Sequence, residues 1–334
     1  MKRVLLAAAA SCVLIAGAAF AGKFTGTDAS DTKPAAKVPV IKAPVMFNTP
    51  EADAILSKMQ IFPKDNPWNQ DISKLPVLKN SREMIATVGA NGSLQFNWDM
   101  GFILIPPDQR KVNMRVAMYP GESDKGPFPI PPNMPIEGWP MEGGDLAVYQ
   151  RAPGDSDRHG IIVDPVNGAL YEFWQARLTN GGWECSQASV FNLKTNDLRP
   201  DGWTSSDAAG LPIFPAIVRY DDVERGIVNH AMRFTVKNSR NAYIYPARHK
   251  ASNKKDPNLP RMGERFRLRK DFDVSKFSPH AQAVLRGLQK YGMFMADNGG
   301  NWRLSVAPDS RIKGLDELRR VKGSDFEVVD TTAK

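Results

Sequence analysis

From about Leu94 to Val236 the chain divides its apolar residues into short runs, each closed by proline, glycine or asparagine before a helix could complete its turns. The runs fall at 102–105, 113–118, 146–149, 160–164, 170–174, 189–193, 215–220 and 230–236, with the length and spacing of strands. This pattern predicts an all-β fold: a single β-sandwich, jelly-roll-like, with two or three short peripheral helices. The stretch from Pro127 to Pro140 lacks the N–H donors a central strand needs and is expected to lie over the surface. Helices are predicted at 50–56, where Glu51 and Asp53 favour the positive end of the dipole, and after Ser278 and Pro279, where Ala283, Val284, Leu288 and Tyr291 form a stripe ending at Gly292. The second should pack on the outside of the sheet, and a last short helix is expected at 315–320. Residues 293–296 and 302–306, joined by Asn298-Gly299-Gly300, read as a hairpin, and strands are otherwise expected to thin out beyond Tyr243.

The N-terminus carries the pattern of a secretory signal: basic Lys2 and Arg3, a small apolar run from Val4 to Ala18, and Ala19-Phe20-Ala21 as a cleavage site. Residues 1–21 are therefore expected to be removed, 22–45 to form a flexible tether and 46–330 a single domain, secreted or periplasmic. No later stretch is apolar enough for a transmembrane segment. Of the two cysteines only Cys185 survives cleavage, so no intrachain disulfide can form and the core must supply the stability. Cys185 itself reads as a small buried filler.

Losing Lys2 and Arg3 lowers the formal charge of +8 by two, to +6. That excess points to acidic partners, such as a uronate polymer, another envelope glycan or anionic lipid, and nucleic acid is not expected outside the cell. Much of it lies between Arg248 and Lys270, a stretch that reads as a solvated loop and strand edge in preference to a polyanion groove.

Several segments have specific wording: Gly202-Trp203-Thr204-Ser205-Ser206-Asp207-Ala208-Ala209-Gly210-Leu211-Pro212-Ile213, His230-Ala231-Met232-Arg233-Phe234-Thr235, Ala247-Arg248-His249, Asp157-Arg158-His159 and Ala296-Asp297-Asn298-Gly299. With Phe62-Pro63-Lys64-Asp65-Asn66-Pro67-Trp68-Asn69 they resemble a widespread family of secreted bacterial proteins over nearly the whole domain. The resemblance implies export and brings no activity with it.

Function must therefore be sought in the residues. His159, His230 and His249 stand in polar, motif-like settings, and three converging imidazoles would suit copper or zinc with a fourth position open. A second chemistry, β-elimination from an acidic polysaccharide, needs a carboxylate neutraliser, a base and an acid. His230, Arg233, Tyr243, Tyr245, Arg248 and His249 supply all three within a short stretch. A third, glycoside hydrolysis, needs paired carboxyls, for which Asp207, Glu172, Asp164, Asp221 and Asp222 are candidates, although most such acids cap turns or pair with arginines. The seven tryptophans sit largely in loop-like contexts, where flat rings stack on sugars; Trp174, Trp203 and Tyr220 are the expected substrate contacts. Together these features point to a secreted carbohydrate-active protein that cleaves a polysaccharide as a lyase or glycoside hydrolase. The competing class is a non-catalytic glycan-binding or envelope-associated module, and convergence of the histidines would separate the two.

Overall fold

The computed structural model describes residues 39–154 and 156–332; the expected signal peptide and most of the tether lie outside them. In chain order the elements are β1 (Val45–Met46), α1 (Pro50–Leu56), α2 (Ser81–Val88), β2 (Gln95–Trp98), β3 (Ile103–Leu104), β4 (Met114–Val116) and α3 (Leu146–Arg151). They continue with β5 (Gly160–Asp164), β6 (Ala169–Trp174), β7 (Arg177–Thr179), β8 (Gly182–Cys185), β9 (Gln187–Asn192), α4 (Tyr220–Glu224), β10 (Met232–Val236) and β11 (Arg265–Leu268). The last are α5 (Pro279–Lys290), β12 (Met293–Asn298), β13 (Arg303–Val306) and β14 (Phe326–Val328). Among the described residues no helix is long and apolar enough to cross a membrane.

The fold is mixed α/β, not the all-β jelly-roll-like sandwich expected. Its strands form three sheets with mixed strand directions, ordered β1-β3-β5-β6-β9, β14-β11-β12-β10-β13-β2 and β4-β8-β7. Two runs read as strands are helical for local reasons. At 146–149, the side chain of Asp145 accepts the N–H groups of Ala147 and Val148 and caps α3. At 215–220, Pro215 sits in a 3-10 turn over Phe214–Ala216, and α4 starts directly after Arg219. Residues 293–306 are not a hairpin: β12 and β13 each pair with β10, which lies between them, parallel to the first and antiparallel to the second. The C-terminal part is also richer in strands than expected, since β11 to β14 all belong to the six-stranded sheet.

Burial on both faces explains the strand β5, which is buried at every residue. Its Ile161 and Val163 join the main core, and Ile162 joins a smaller cluster with Phe128, Ile130, Met134 and Phe173. Those partners place the proline-rich segment inside: it covers the second face of the five-stranded sheet and is itself largely buried. Helix α5 starts as expected at Ser278 and Pro279, although the Ser278 side chain makes no capping bond. It buries Val284, Leu285 and Leu288 in the main core, together with Met232 and Phe234 of β10. The helix stops at Gly292, whose φ of 64° suits glycine and whose added Cβ would lie 2.2 Å from the Phe266 carbonyl oxygen.

The basic stretch is not all solvated. Arg265 and Arg267 lie on β11 and are buried. Arg267 pairs with Glu327, while Arg265 donates to the carbonyls of Tyr291 and Pro67 and lies 3.9 Å over the Phe294 ring.

Candidate functional site

A left-handed turn sets up the site. Arg158 (φ 45°) and Gln175 (φ 54°) both adopt the conformation that non-glycine residues enter rarely. They are held there by Gln175 N–H to the Asp157 carbonyl at 2.7 Å and Ala176 N–H to the Arg158 carbonyl at 3.1 Å. The Arg158 guanidinium donates to the carbonyls of Tyr149 and Gln150, at the C-terminal end of α3. As a result Asp157 stays at the surface, accepting the Trp174 indole N–H at 3.0 Å, while His159 is buried.

The six-stranded sheet supplies the facing wall. The Ala209 N–H donates to the Ala296 carbonyl of β12, and Arg248 N–H donates back to Ala209. Gly210, at φ 71°, permits this approach, because a Cβ there would meet the Trp203 carbonyl at 2.6 Å. His249 then donates from Nδ1 to the Ala208 carbonyl at 2.8 Å, a bond that leaves Nε2 as the atom able to accept. The result is a cleft of about 200 Å³ lined by Tyr119, Asp157, Trp174, Thr204 to Ser206, Ala208, His249, Ala251, Asp297 and Asn298. The Tyr119 and Trp174 rings lie 6.0 Å apart, tilted by 49°.

Behind this wall runs a buried polar seam. His159 donates from Nδ1 to Glu137 (2.9 Å) and from Nε2 to the carbonyl of Ser206 (2.9 Å). Burial opposes its charge, but Glu137, with Asp157 and the Ser206 carbonyl, outweighs burial and raises His159 to about 10, holding it as imidazolium. Arg233 forms a two-pronged pair with Asp207 (2.8 and 2.7 Å) and donates to the Ser305 hydroxyl at 2.5 Å. Three carboxyls are pushed up to about 7, in each case chiefly by burial: Asp99, Glu172 and Asp297. Asp207 adds to the shift of Asp297, while Arg233 works against it. Glu172 accepts the N–H groups of Ile213 and Phe214, tying β6 to the segment that follows the cleft wall.

These shifts fix how stability should depend on pH. From about pH 4 to 7 the unfolded chain ionises Asp99, Glu172 and Asp297 while the folded chain keeps them neutral, so stability falls as pH rises. The contribution of His159 is complete below 6.5 and is lost as pH rises through about 10. Glu137, lowered by His159, acts oppositely and loses its contribution as pH falls below 4.5. Thermal melts should therefore give the highest Tm under mildly acidic conditions and a steady decline into the alkaline range. A Tm that climbed between neutral and alkaline pH would contradict these assignments.

The residues expected from sequence do not gather at one point. His159 is enclosed by Glu137 and Ser206; His230 faces Asp222 (3.2 Å) and Arg219 beside a separate cavity of about 130 Å³; His249 lines the cleft. The copper or zinc triad is thus not assembled, and among the described residues no three His, Cys, Asp or Glu are grouped to hold a metal. The elimination set is scattered too. Arg233 is consumed by Asp207, Arg248 pairs with Asp201 (3.0 Å), Tyr243 donates to the same Asp201 and Tyr245 is exposed.

Trp174 does line the cleft, whereas Trp203 lies under Arg199 and Tyr220 under Arg311. Asp164 caps a turn, and Asp221 and Asp222 pair with Arg219 and Arg225, as expected of most acids. Asp157 and Asp297 were not among the candidates. Both nevertheless fall in the specific segments 157–159 and 296–299, which converge here with 202–213 and 247–249. Tyr119, between Met118 and Pro120, carried no such signal.

Compared with protein-family models, curated proteins and solved structures, the chain matches none.

Proposed function

We propose that this chain is an exported carbohydrate-active protein that hydrolyses a glycan in the cleft between Trp174 and Asp297. The observation that carries the reading is the meeting of two carboxyls, Asp157 and Asp297, with the paired rings of Trp174 and Tyr119. An aromatic platform binds a sugar ring at low entropic cost, and two carboxyls can serve as the acid and its partner in glycoside cleavage. Asp297, neutral up to about 7, suits the acid that protonates the leaving oxygen. Asp157 is the second carboxylate, and His249 Nε2 accepts a substrate hydroxyl. At about 200 Å³ the cleft is below the roughly 300–1,000 Å³ of sites for drug-sized ligands and has room for about one sugar ring, the rest of the glycan lying outside it. Export rests on the leader-like pattern of residues 1–21.

Hydrolysis is preferred to elimination because the cleft offers a pair of carboxyls, whereas a uronate would find only the amide of Asn298 to neutralise it. Among the described residues lining the cleft there is no lysine or arginine. The test is product analysis of a polysaccharide panel incubated with the mature protein. Reducing ends without ultraviolet-absorbing unsaturated ends are expected, and release should be lost in Trp174→Ala. Unsaturated products would overturn the hydrolytic reading. The separation of the three histidines removes the metal and lyase routes but not a carboxyl pair, and binding without release would leave the glycan-binding or envelope-associated module in place of hydrolysis.

A further inference from the structure

We propose that the glycan taken by this cleft carries ammonium groups, as an amino-sugar polymer does. The inference rests on the reading of the cleft as a glycan site and names its substrate class.

The first support is local charge. The chain as a whole is basic, at +8, yet the cleft presents the Asp157 carboxylate beside the neutral Asp297 and no lysine or arginine among its described lining residues. The cations nearest in the seam are already engaged: Arg233 by Asp207 and His159 by Glu137. The surface basic residues therefore do not offset the cleft, where low-dielectric walls preserve the attraction that water would screen elsewhere.

The second support is independent of the carboxyls. Trp174 and Tyr119 set two ring faces 6.0 Å apart at 49°, and electron-rich faces attract a cation brought over them. Trp174 also donates its indole N–H to Asp157, which fixes the ring beside the carboxylate. An ammonium on a sugar would meet ring face and carboxylate together. A uronate in the same position would meet the Asp157 carboxylate and no lysine or arginine among the described lining residues.

The experiment is calorimetric titration of the mature protein, at neutral pH and low salt, with four ligands: a glucosamine tetramer, its N-acetylated counterpart, a galacturonate tetramer and tetralysine. The glucosamine tetramer is expected to bind at least about tenfold tighter than the N-acetylated one, the factor a single charge-assisted hydrogen bond supplies. Its affinity should weaken as salt is raised, and the galacturonate tetramer should bind weakest. In Asp157→Asn the preference for the amino form should shrink. Equal or tighter binding of the N-acetylated or galacturonate tetramer overturns the proposal while leaving a glycan cleft. Tetralysine binding as tightly as the glucosamine tetramer overturns it in favour of cationic peptide. No binding by any saccharide removes the glycan reading itself.

Discussion

Arg233→Met is expected to cost about 3–5 kcal/mol of folding stability, the penalty for removing one partner from a buried ion pair. Arg233 is 4% exposed and Asp207 0%, and the two share a two-pronged bond in a place closed to solvent. The carboxylate of Asp207 would be left buried near Glu172 and Asp297, with its main counter-charge removed. Chemical denaturation gives the number directly. Adding Asp207→Asn to Arg233→Met should recover part of the loss, because the stranded charge is then removed as well. A single variant within about 0.5 kcal/mol of the parent, the range of surface substitutions, would mean that the pair does not hold the seam.

Asp297→Asn is expected to lower the rate of glycan cleavage by about 10²–10⁴, the usual contribution of a positioned general acid. The change preserves shape, and the Asn298 N–H bond to Oδ1 at 2.6 Å can still form. Folding should therefore persist. The pH profile gives a second reading. The active form of Asp297 is the protonated one, so parental activity should fall as pH rises through about 7, and the residual activity of the variant should lack that limb. An Asp297→Asn variant that matched the parent would remove Asp297 from the chemistry.

Individual strands were easier to read than the arrangement that joins them. Runs such as 160–164 and 170–174 announced β5 and β6 because both are apolar and bounded by turn residues. The all-β class failed where one side chain outside the run decided the outcome, as Asp145 does for α3. It failed again where pairing skipped sequence neighbours: nothing in 293–306 says that β10 inserts between β12 and β13. The site was divided in the same way. Trp174 and His249 were legible as loop-borne aromatic and imidazole. Asp207 and Arg233 were legible as important residues, but their pairing was not, since the two stand 26 positions apart and meet only across the seam. Their motif-like wording marks the support of the site, and the acids beside it, Asp157 and Asp297, line the cleft.

The central claim is that glycan binds in the cleft bounded by Trp174 and Asp297. Hydrogen exchange of the mature protein, with and without a saturating cleavable or amino-sugar oligosaccharide, tests it directly. The account predicts slowed exchange at residues 204–208 and 296–299. Protection confined to another surface, such as the groove lined by Val77, Arg82, Ile85 and Phe326, or no protection at all, would contradict it.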